Sequence, residues 1–395
     1  MRVLAVGSMY PPHFEGGYEL VWRSAVRHLR ERGHTVRVLA SDYRAERPDP
    51  EIAEDPDVHR DLRWYWRDHK VVRLGPRTSL QLERHNARVL RRHLSDFAPD
   101  VVAWWAMGAM SLSMIEIVRG YAVPAVGLVH DRWMLYGPDV DGWLSGARRL
   151  GPLAGLLGSV ARVPTRLELG RAARWLFSSD ALREEVVSAV SLSDTGVARP
   201  GIEPDLFPAA PETEWSGRLL YLGRIDPPKG IANAVRAVAS VPGASLEIVG
   251  TGAAWHQAEL RDLARELGVA DRVQFRGQVP RAQLAAVYAA ADAVIFPVLW
   301  EEPWGLVPLE AMAVGRPVVA TGSGGSAEYM RHDENCLIFR PRDDPAALAA
   351  AVERLAADAA LRGRLRENGF RTARRHTEDA FNEAVAKELE EVAGR

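Results

Sequence analysis

The sequence predicts an α/β protein of two Rossmann-like halves, and three observations predict it. Apolar runs at 2–6, 36–40, 101–105 and 125–129, the pattern of strands buried on both faces, alternate with longer stretches of helical period. Pro200, Pro204, Pro208 and Pro211, with Glu212, Glu214 and Gly217, then interrupt the alternation. It resumes beyond them, with strands expected at 219–222, 245–249, 273–275 and 293–296. The expected division is an N-terminal Rossmann-like domain over 1–205, joined by a C-terminal helix at 378–395 that crosses back to it, and a second Rossmann-like domain over 206–377.

Composition narrows the class. A chain of 395 residues with 47% hydrophobic content can bury two cores, and a net charge of -2 gives no overall bias toward nucleic acid or an anionic surface. Cys336, the single cysteine, excludes an internal disulfide and a cysteine-based zinc cluster. No run approaches the ~18 apolar residues of a membrane span, and the opening strand meets Pro11-Pro12 too soon for a signal-peptide core, so a cytoplasmic protein is expected. Positive charge is written almost wholly as arginine: only Lys70, Lys229 and Lys387 are lysines. A lysine in a candidate site therefore stands out.

Taken in order, the first strand runs into a loop at 8–17, and Gly16-Gly17 precede a helix with Leu20, Val21, Ala25 and Leu29 on one face. Gly33 ends that helix. Residues 44–69 read as a polar excursion carrying Trp64-Tyr65-Trp66, able to shape a pocket. Helices are expected at 79–97, 111–119 and 180–190, with strands at 175–178 and 195–198, while 132–164 shows little regular period. In the second half helices are expected at 231–241, 255–267 and 281–290, and the tail over 345–392 is helical.

The most informative stretch is 293–320. A strand enters a loop with Glu301-Glu302, a helix follows with Pro308 in its first turn, and a strand at 317–320 re-enters the core. Glu302 and the amides of Gly305, Leu306 and Val307 thus fall at the carboxyl end of a parallel sheet, where open α/β folds bind ligands. Glu302 and Glu310 would lie ~12 Å apart if the intervening chain were helical, too far to act on one bond but suited to two ends of one ligand. An acid, an anion cradle and a second acid fit a nucleotide sugar. A solvated glutamate pair is the plainer alternative. The run Gly223-Arg224-Ile225-Asp226-Pro227-Pro228-Lys229-Gly230 follows another strand, so Arg224 and Lys229 could reach a diphosphate there, or could be surface cations.

These motifs, with Gly315-x-Pro317-Val318-Val319, Val273-x-Phe275-x-Gly277 and the Gly16-Gly17 loop, resemble the family 4 retaining glycosyltransferases of GT-B fold. The resemblance spans nearly the whole chain. It implies two Rossmann-like domains facing across a cleft and a hexosyl transfer, with retention and without metal, from a nucleotide diphosphate sugar of UDP, GDP or TDP type. It implies that Arg224 and Lys229 hold the diphosphate, Glu310 the ribose hydroxyls, and Glu302 the transferred sugar. Gly16 and Gly17 would approach the phosphate, backbone near Gly277 to Val279 would face the base, and Trp304, where phenylalanine is more usual, could alter the pocket wall. His130, at a strand end, matches the family's histidine near the donor sugar; a purely structural histidine and an Asp131 serving as a turn cap remain open.

Other patterns carry less. Asp139-Val140-Asp141 copies the Asp-x-Asp of metal-dependent glycosyltransferases without its context, and Gly250-Thr251-Gly252 lacks the third glycine of a dinucleotide fingerprint, so neither metal nor NAD is expected. Residues 148–174 mix arginines with leucines and could rest on a membrane bearing a lipid-linked acceptor, or form an ordinary surface helix. Trp64, Trp66, Trp104, Trp105, Trp133 and Trp143 could stack on an acceptor or fill the core. The acceptor could equally be a small molecule or a glycan. Two rivals stand beside the transferase: another GT-B enzyme, such as a phosphorylase or epimerase, and a non-catalytic sugar-nucleotide-binding subunit.

Overall fold

The computed structural model describes residues 1–46, 48–67 and 70–394. The chain forms two compact units, Met1–Arg199 with Phe381–Arg395, and Pro200–Ala380. Arg47, Asp68 and His69 of the expected 44–69 excursion, and Arg395 of the closing helix, lie outside the described residues.

In unit 1 the strands are β1 (Arg2–Val6), β2 (Thr35–Ser41), β3 (Val58–Leu62), a small antiparallel pair β4 (Trp66–Arg67) and β5 (Lys70–Val71), β6 (Val101–Trp104), β7 (Ala125–Val129), β8 (Arg174–Phe177) and β9 (Thr195–Val197). Between them run α1 (Gly17–Glu31), α2 (Pro76–Phe97), α3 (Ser113–Gly120), α4 (Trp133–Val140), α5 (Gly142–Arg149), α6 (Ala154–Ala161) and α7 (Asp180–Ala189). The main sheet is parallel in the order β3-β2-β1-β6-β7-β8-β9. Its strands are apolar on both faces because helices cover both, which is why they read as continuous runs.

Unit 2 repeats the plan with β10 (Arg218–Leu222), α8 (Ile231–Ser240), β11 (Ser245–Val249), α9 (Ala254–Glu266), β12 (Val273–Gly277), α10 (Leu284–Ala290), β13 (Ala293–Phe296), α11 (Leu306–Val314), β14 (Val318–Ala320), β15 (Leu337–Ile338), α12 (Pro345–Ala357) and α13 (Ala359–Ala373). Its sheet is parallel in the order β12-β11-β10-β13-β14-β15. Two doubly wound units of this order are the GT-B fold the sequence predicts.

The last helix, α14 (Glu378–Ala393), returns to unit 1 as expected. Phe381, Val385 and Leu389 are buried along it, and Arg32 grips Glu383 at 2.7 Å and Glu390 at 3.0 Å. Arg174 pairs with Glu388, and Asn382 donates to Ser24 at 2.8 Å while its Oδ1 has no hydrogen-bond partner among the described residues.

Three expectations need correction. Residues 132–164 hold three eight-residue helices, α4 to α6, each too short to show a period and one carrying Pro138 inside it. The polar excursion contains β3, an edge strand whose alternating His59, Asp61 and Arg60 hide its strand character. On α1 the buried face includes Glu19 and Trp22 rather than Leu20, because the Glu19 carboxylate turns back to accept from Gly16 N–H at 3.1 Å. No helix among the described residues is long and apolar enough to cross a membrane.

Candidate functional site

In unit 2 the strand order reverses about β10, which lies between β11 and β13. At such a reversal the loops after the two adjacent strands part and leave a crevice at their carboxyl ends. Those loops carry Arg224, Lys229 and Glu302.

The loop after β10 is held by backbone. Gly223 N–H donates to Val249 at 3.0 Å, Ile225 N–H to Thr251 at 2.8 Å, and the Tyr221 hydroxyl to the Arg224 carbonyl at 2.6 Å. Gly250 has φ +138°, and a Cβ there would sit 1.9 Å from the Gly223 carbonyl oxygen. Gly250 and Gly252, which resemble part of a dinucleotide signature, therefore serve close backbone packing beneath Arg224. That guanidinium is half exposed and meets Asp226 at 3.3 Å.

Gly230, φ +69°, makes the second close approach: a Cβ would lie 2.0 Å from the Pro297 carbonyl oxygen. Leu299 N–H donates to Pro228 at 2.8 Å, so the lysine turn is docked on the strand-to-helix loop of the acids. The result is a convergence. Lys229 Nζ lies 2.9 Å from Glu302 Oε2, the Trp300 indole N–H donates to the same oxygen at 2.7 Å, and the ammonium sits 4.9 Å from the Trp300 ring centroid. Both charged side chains are mostly buried, at 16% and 12% exposure. An ammonium has three N–H donors, so Lys229 can hold Glu302 and still reach an anion.

Glu302 is fixed through its main chain too, its carbonyl accepting from Gly325 N–H at 2.7 Å. Arg342 pairs with Glu301 at 2.7 Å, which separates the roles of the adjacent acids. Gly305, φ +90°, caps α11, whose first residues are Leu306 and Val307, so their amides have no partner within the helix and point out of its end. The Gly305 carbonyl accepts from the Tyr329 hydroxyl at 2.6 Å.

Glu310 lies on α11 in a drier place. It is 8% exposed and accepts from the Tyr288 hydroxyl at 2.5 Å; burial pushes its carboxyl above the usual range, against the pull of Tyr288 and Arg281. Gly277, φ +81°, ends β12 and its carbonyl accepts from Gly250 N–H at 2.8 Å, while Val279 is half-buried against the core. Trp304 is not a pocket wall: it is 3% exposed, donates to the Pro200 carbonyl at 2.7 Å and packs edge-on against Tyr329 and His376.

In unit 1, His130 follows β7. Its ring stacks on Tyr18 at 4.3 Å and meets Phe381 edge-on at 5.8 Å. Tyr18 itself bridges strand ends, donating to Leu128 at 2.7 Å and accepting from Ala106 N–H at 2.9 Å. Burial holds the imidazole down to about 3, so it is neutral at ordinary pH, and its buried Nε2 has no hydrogen-bond partner among the described residues. Asp131 takes the capping role, accepting from Trp133 N–H at 3.0 Å. Gly16 and Gly17 open α1, with the Gly16 amide engaged by Glu19. Asp141 accepts from the Trp143, Leu144 and Leu112 amides at 2.9 to 3.0 Å, a helix cap rather than half of a metal motif.

A cavity of about 830 Å³ opens in unit 1, lined by Tyr43, Trp64 and Trp66 together with Asp42, Arg44 and Arg63. Tyr43 and Trp64 meet edge-on at 5.8 Å. Trp104, Trp105, Trp133 and Trp143 are buried instead. Sequence reasoning missed Trp300, Tyr288 and Tyr43. Trp300, two residues before Glu302 in the same loop, was the only one with a local signal.

Comparisons with known proteins agree with the fold. The family Glycosyl transferases group 1 matches residues 205–372, and Glycosyltransferase Family 4 matches 15–206. A glycogen synthase of Mycobacterium tuberculosis is 28% identical over 379 residues, covering 91% of this chain and 87% of that protein. A lipopolysaccharide core biosynthesis glycosyltransferase, LpsD of Rhizobium meliloti, is 28% identical over 376 residues, covering 94% and 95%. The Anabaena HepE protein, solved in complex with UDP-glucose, superposes with a TM-score of 0.71 at 19% identity, covering 99% of this chain and 100% of that one.

Proposed function

The chain belongs to glycosyltransferase family 4, a retaining glycosyltransferase using a nucleotide sugar, and from that premise we propose how its own residues divide the work. The cluster of Lys229, Trp300 and Glu302 beside Arg224, at the strand-order reversal, carries the reading. Arg224 and Lys229 bind the diphosphate of a hexose donor, and the Leu306 and Val307 amides complete its cradle. Glu302, its one oxygen shared by Lys229 and Trp300, offers the other to a hydroxyl of the transferred sugar. Glu310 takes the ribose and the backbone at Gly277 to Val279 the base. His130, neutral and with an unpartnered Nε2, donates to or accepts from a sugar hydroxyl.

Transfer then needs no metal: as the glycosidic bond to phosphate breaks, two cations and the helix amides stabilise the charge growing on the diphosphate. The acceptor hydroxyl enters on the same face, and the departing phosphate oxygen takes its proton. Gly16 and Gly17 approach the phosphate from the start of α1.

The aromatic cavity of unit 1 suits a polyhydroxylated acceptor, with ring faces for C–H surfaces and Asp42, Arg44 and Arg63 for hydroxyls or anionic groups. A lipid-linked acceptor has separate support: Leu153, Leu156 and Val160, on and beside α6, are 65 to 68% exposed, with Arg148, Arg149 and Arg162 flanking them. That combination fits peripheral contact with an anionic bilayer.

The test is a thermal-shift screen of UDP, GDP and TDP followed by transfer assays with sugars on the winning base and NMR assignment of the product anomer. UDP leads the screen because HepE was solved with UDP-glucose. An inverted product, or a diphosphate affinity unchanged in Lys229→Ala, overturns the assignment. Flotation with anionic vesicles tests the membrane contact separately.

A further inference from the structure

We propose that His59, Asp61 and His93 form a structural binding site for a divalent transition-metal ion, zinc being the best match, on the edge of the unit 1 sheet. His59 and Asp61 lie on β3, whose pairing with β2 shifts register between His59 and Leu62, and both meet His93 of α2, the His59 ring at 4.8 Å and the Asp61 carboxylate at 3.6 Å. One ligand atom from each lies within 4.8 Å of the other two. His93 is 3% exposed, and its Nε2, 3.6 Å from Asp61 Oδ2, has no hydrogen-bond partner among the described residues. The two imidazoles meet edge-on at 4.8 Å between centroids.

Two imidazoles and one carboxylate are a donor set that zinc takes readily, leaving a fourth place for water. With bonds of ~2.0–2.1 Å the ligand atoms of a tetrahedral site stand ~3.3 Å apart, so small side-chain rotations draw the three together. A buried imidazole nitrogen with no partner is costly, and an ion satisfies it. The rest of the surroundings is stated as plainly. Arg92 pairs with Asp61 Oδ2 at 2.9 Å and is mostly exposed, so it can swing away, and Arg37 lies 3.4 Å from His93 Nδ1. Both cations lower the affinity of the site. His85 Nε2 meets the Asp61 carbonyl at 2.7 Å and fixes β3 on α2 from the other side.

The site would join β3 to α2 just before the chain enters the aromatic cavity. Asn86 of α2 already brackets Arg63 there, accepting from its amide at 2.8 Å and donating to its carbonyl at 2.7 Å. The ion would act on the rigidity of the cavity wall and touch no reacting atom.

The full chain, stripped with chelator, is titrated with ZnCl2 by calorimetry and with cobalt(II) by visible absorption. One equivalent is expected, with the intense bands of a four-coordinate cobalt and a raised Tm. His59→Gln and Asp61→Asn should each weaken it at least as much as the ~10–100-fold that loss of an outer-shell partner costs a metal site. Arg92→Gln should tighten it, a gain that damage to folding cannot mimic. Uptake that is equal in wild type and the His59→Gln/Asp61→Asn double variant, or weakly coloured six-coordinate cobalt, overturns the proposal.

Discussion

The loops after β10 and β13 in unit 2 and the cavity region of unit 1 both gather polar side chains, but what lines the two differs. In unit 2 the holding forces are backbone to backbone: glycines at 230, 250 and 252 let one loop lie on the next, and the charged groups stand on that rigid base. In unit 1 the chain beneath the cavity is also tied by backbone, Asp42 N–H to Leu62 at 2.7 Å and Val72 N–H to Tyr65 at 2.9 Å, but the surface that lines it is side chain, Tyr43 against Trp64. A loop locked by main-chain contact presents its charges without reorganisation, which suits the growing charge of a leaving diphosphate. A cavity of side chains can be reshaped by rotamers, which suits selection among acceptors.

The largest effect should separate the two regions outright. Lys229→Ala is expected to lower kcat/KM ~100-fold or more, by analogy with removing one charge-stabilising donor, with the loss traced to the donor diphosphate in inhibition by free nucleoside diphosphate. Intact donor kinetics would end the contrast.

Next comes the backbone claim. Gly250→Ala adds a Cβ against the Gly223 carbonyl at positive φ, and should cost ~3 kcal/mol in urea unfolding of unit 2. Gly33→Ala, also at positive φ but in open space, should cost only ~1 kcal/mol. Equal penalties would mean that strain alone, without the loop stacking, explains these glycines.

Trp64→Ala sharpens the other side. Losing one stacking face should raise acceptor KM ~10-fold, about 1.4 kcal/mol, while leaving donor KM as it was. A change confined to the donor would move the cavity out of the acceptor role.

The smallest effect is on pH. The His130 pKa is held down to about 3 in the fold against 6.5 unfolded, so between those values the unfolded chain binds more protons. Stability therefore rises with pH across that window and is complete above 6.5, with a slope of at most ~1.4 kcal/mol per pH unit from this group. His130→Phe keeps the stacking on Tyr18 and should flatten the dependence. His93, whose pKa burial holds down to about 4, will supply a remaining slope of the same sign.

Much of the proposed donor side was legible in the sequence. Glu302, Arg224 and Lys229 each sit within a few residues of a strand end, so a strand-loop-helix pattern places them, and the parallel order of the strands does the rest. What the pattern could not express was distance across the chain. Lys229 pairs with a glutamate 73 residues away, and Glu310 receives its hydroxyl from Tyr288, 22 residues before it on another helix.

Apolar period, proline and glycine act locally, and they set the two α/β halves, the return of the last helix and the loops that bear charge. That Lys229, Trp300 and Glu302 are one cluster, that Trp304 belongs to the interior, and that His59, Asp61 and His93 converge came from the packing of the chain. Those outcomes depend on which strands become neighbours and which helix covers which face, and no local preference carries that information.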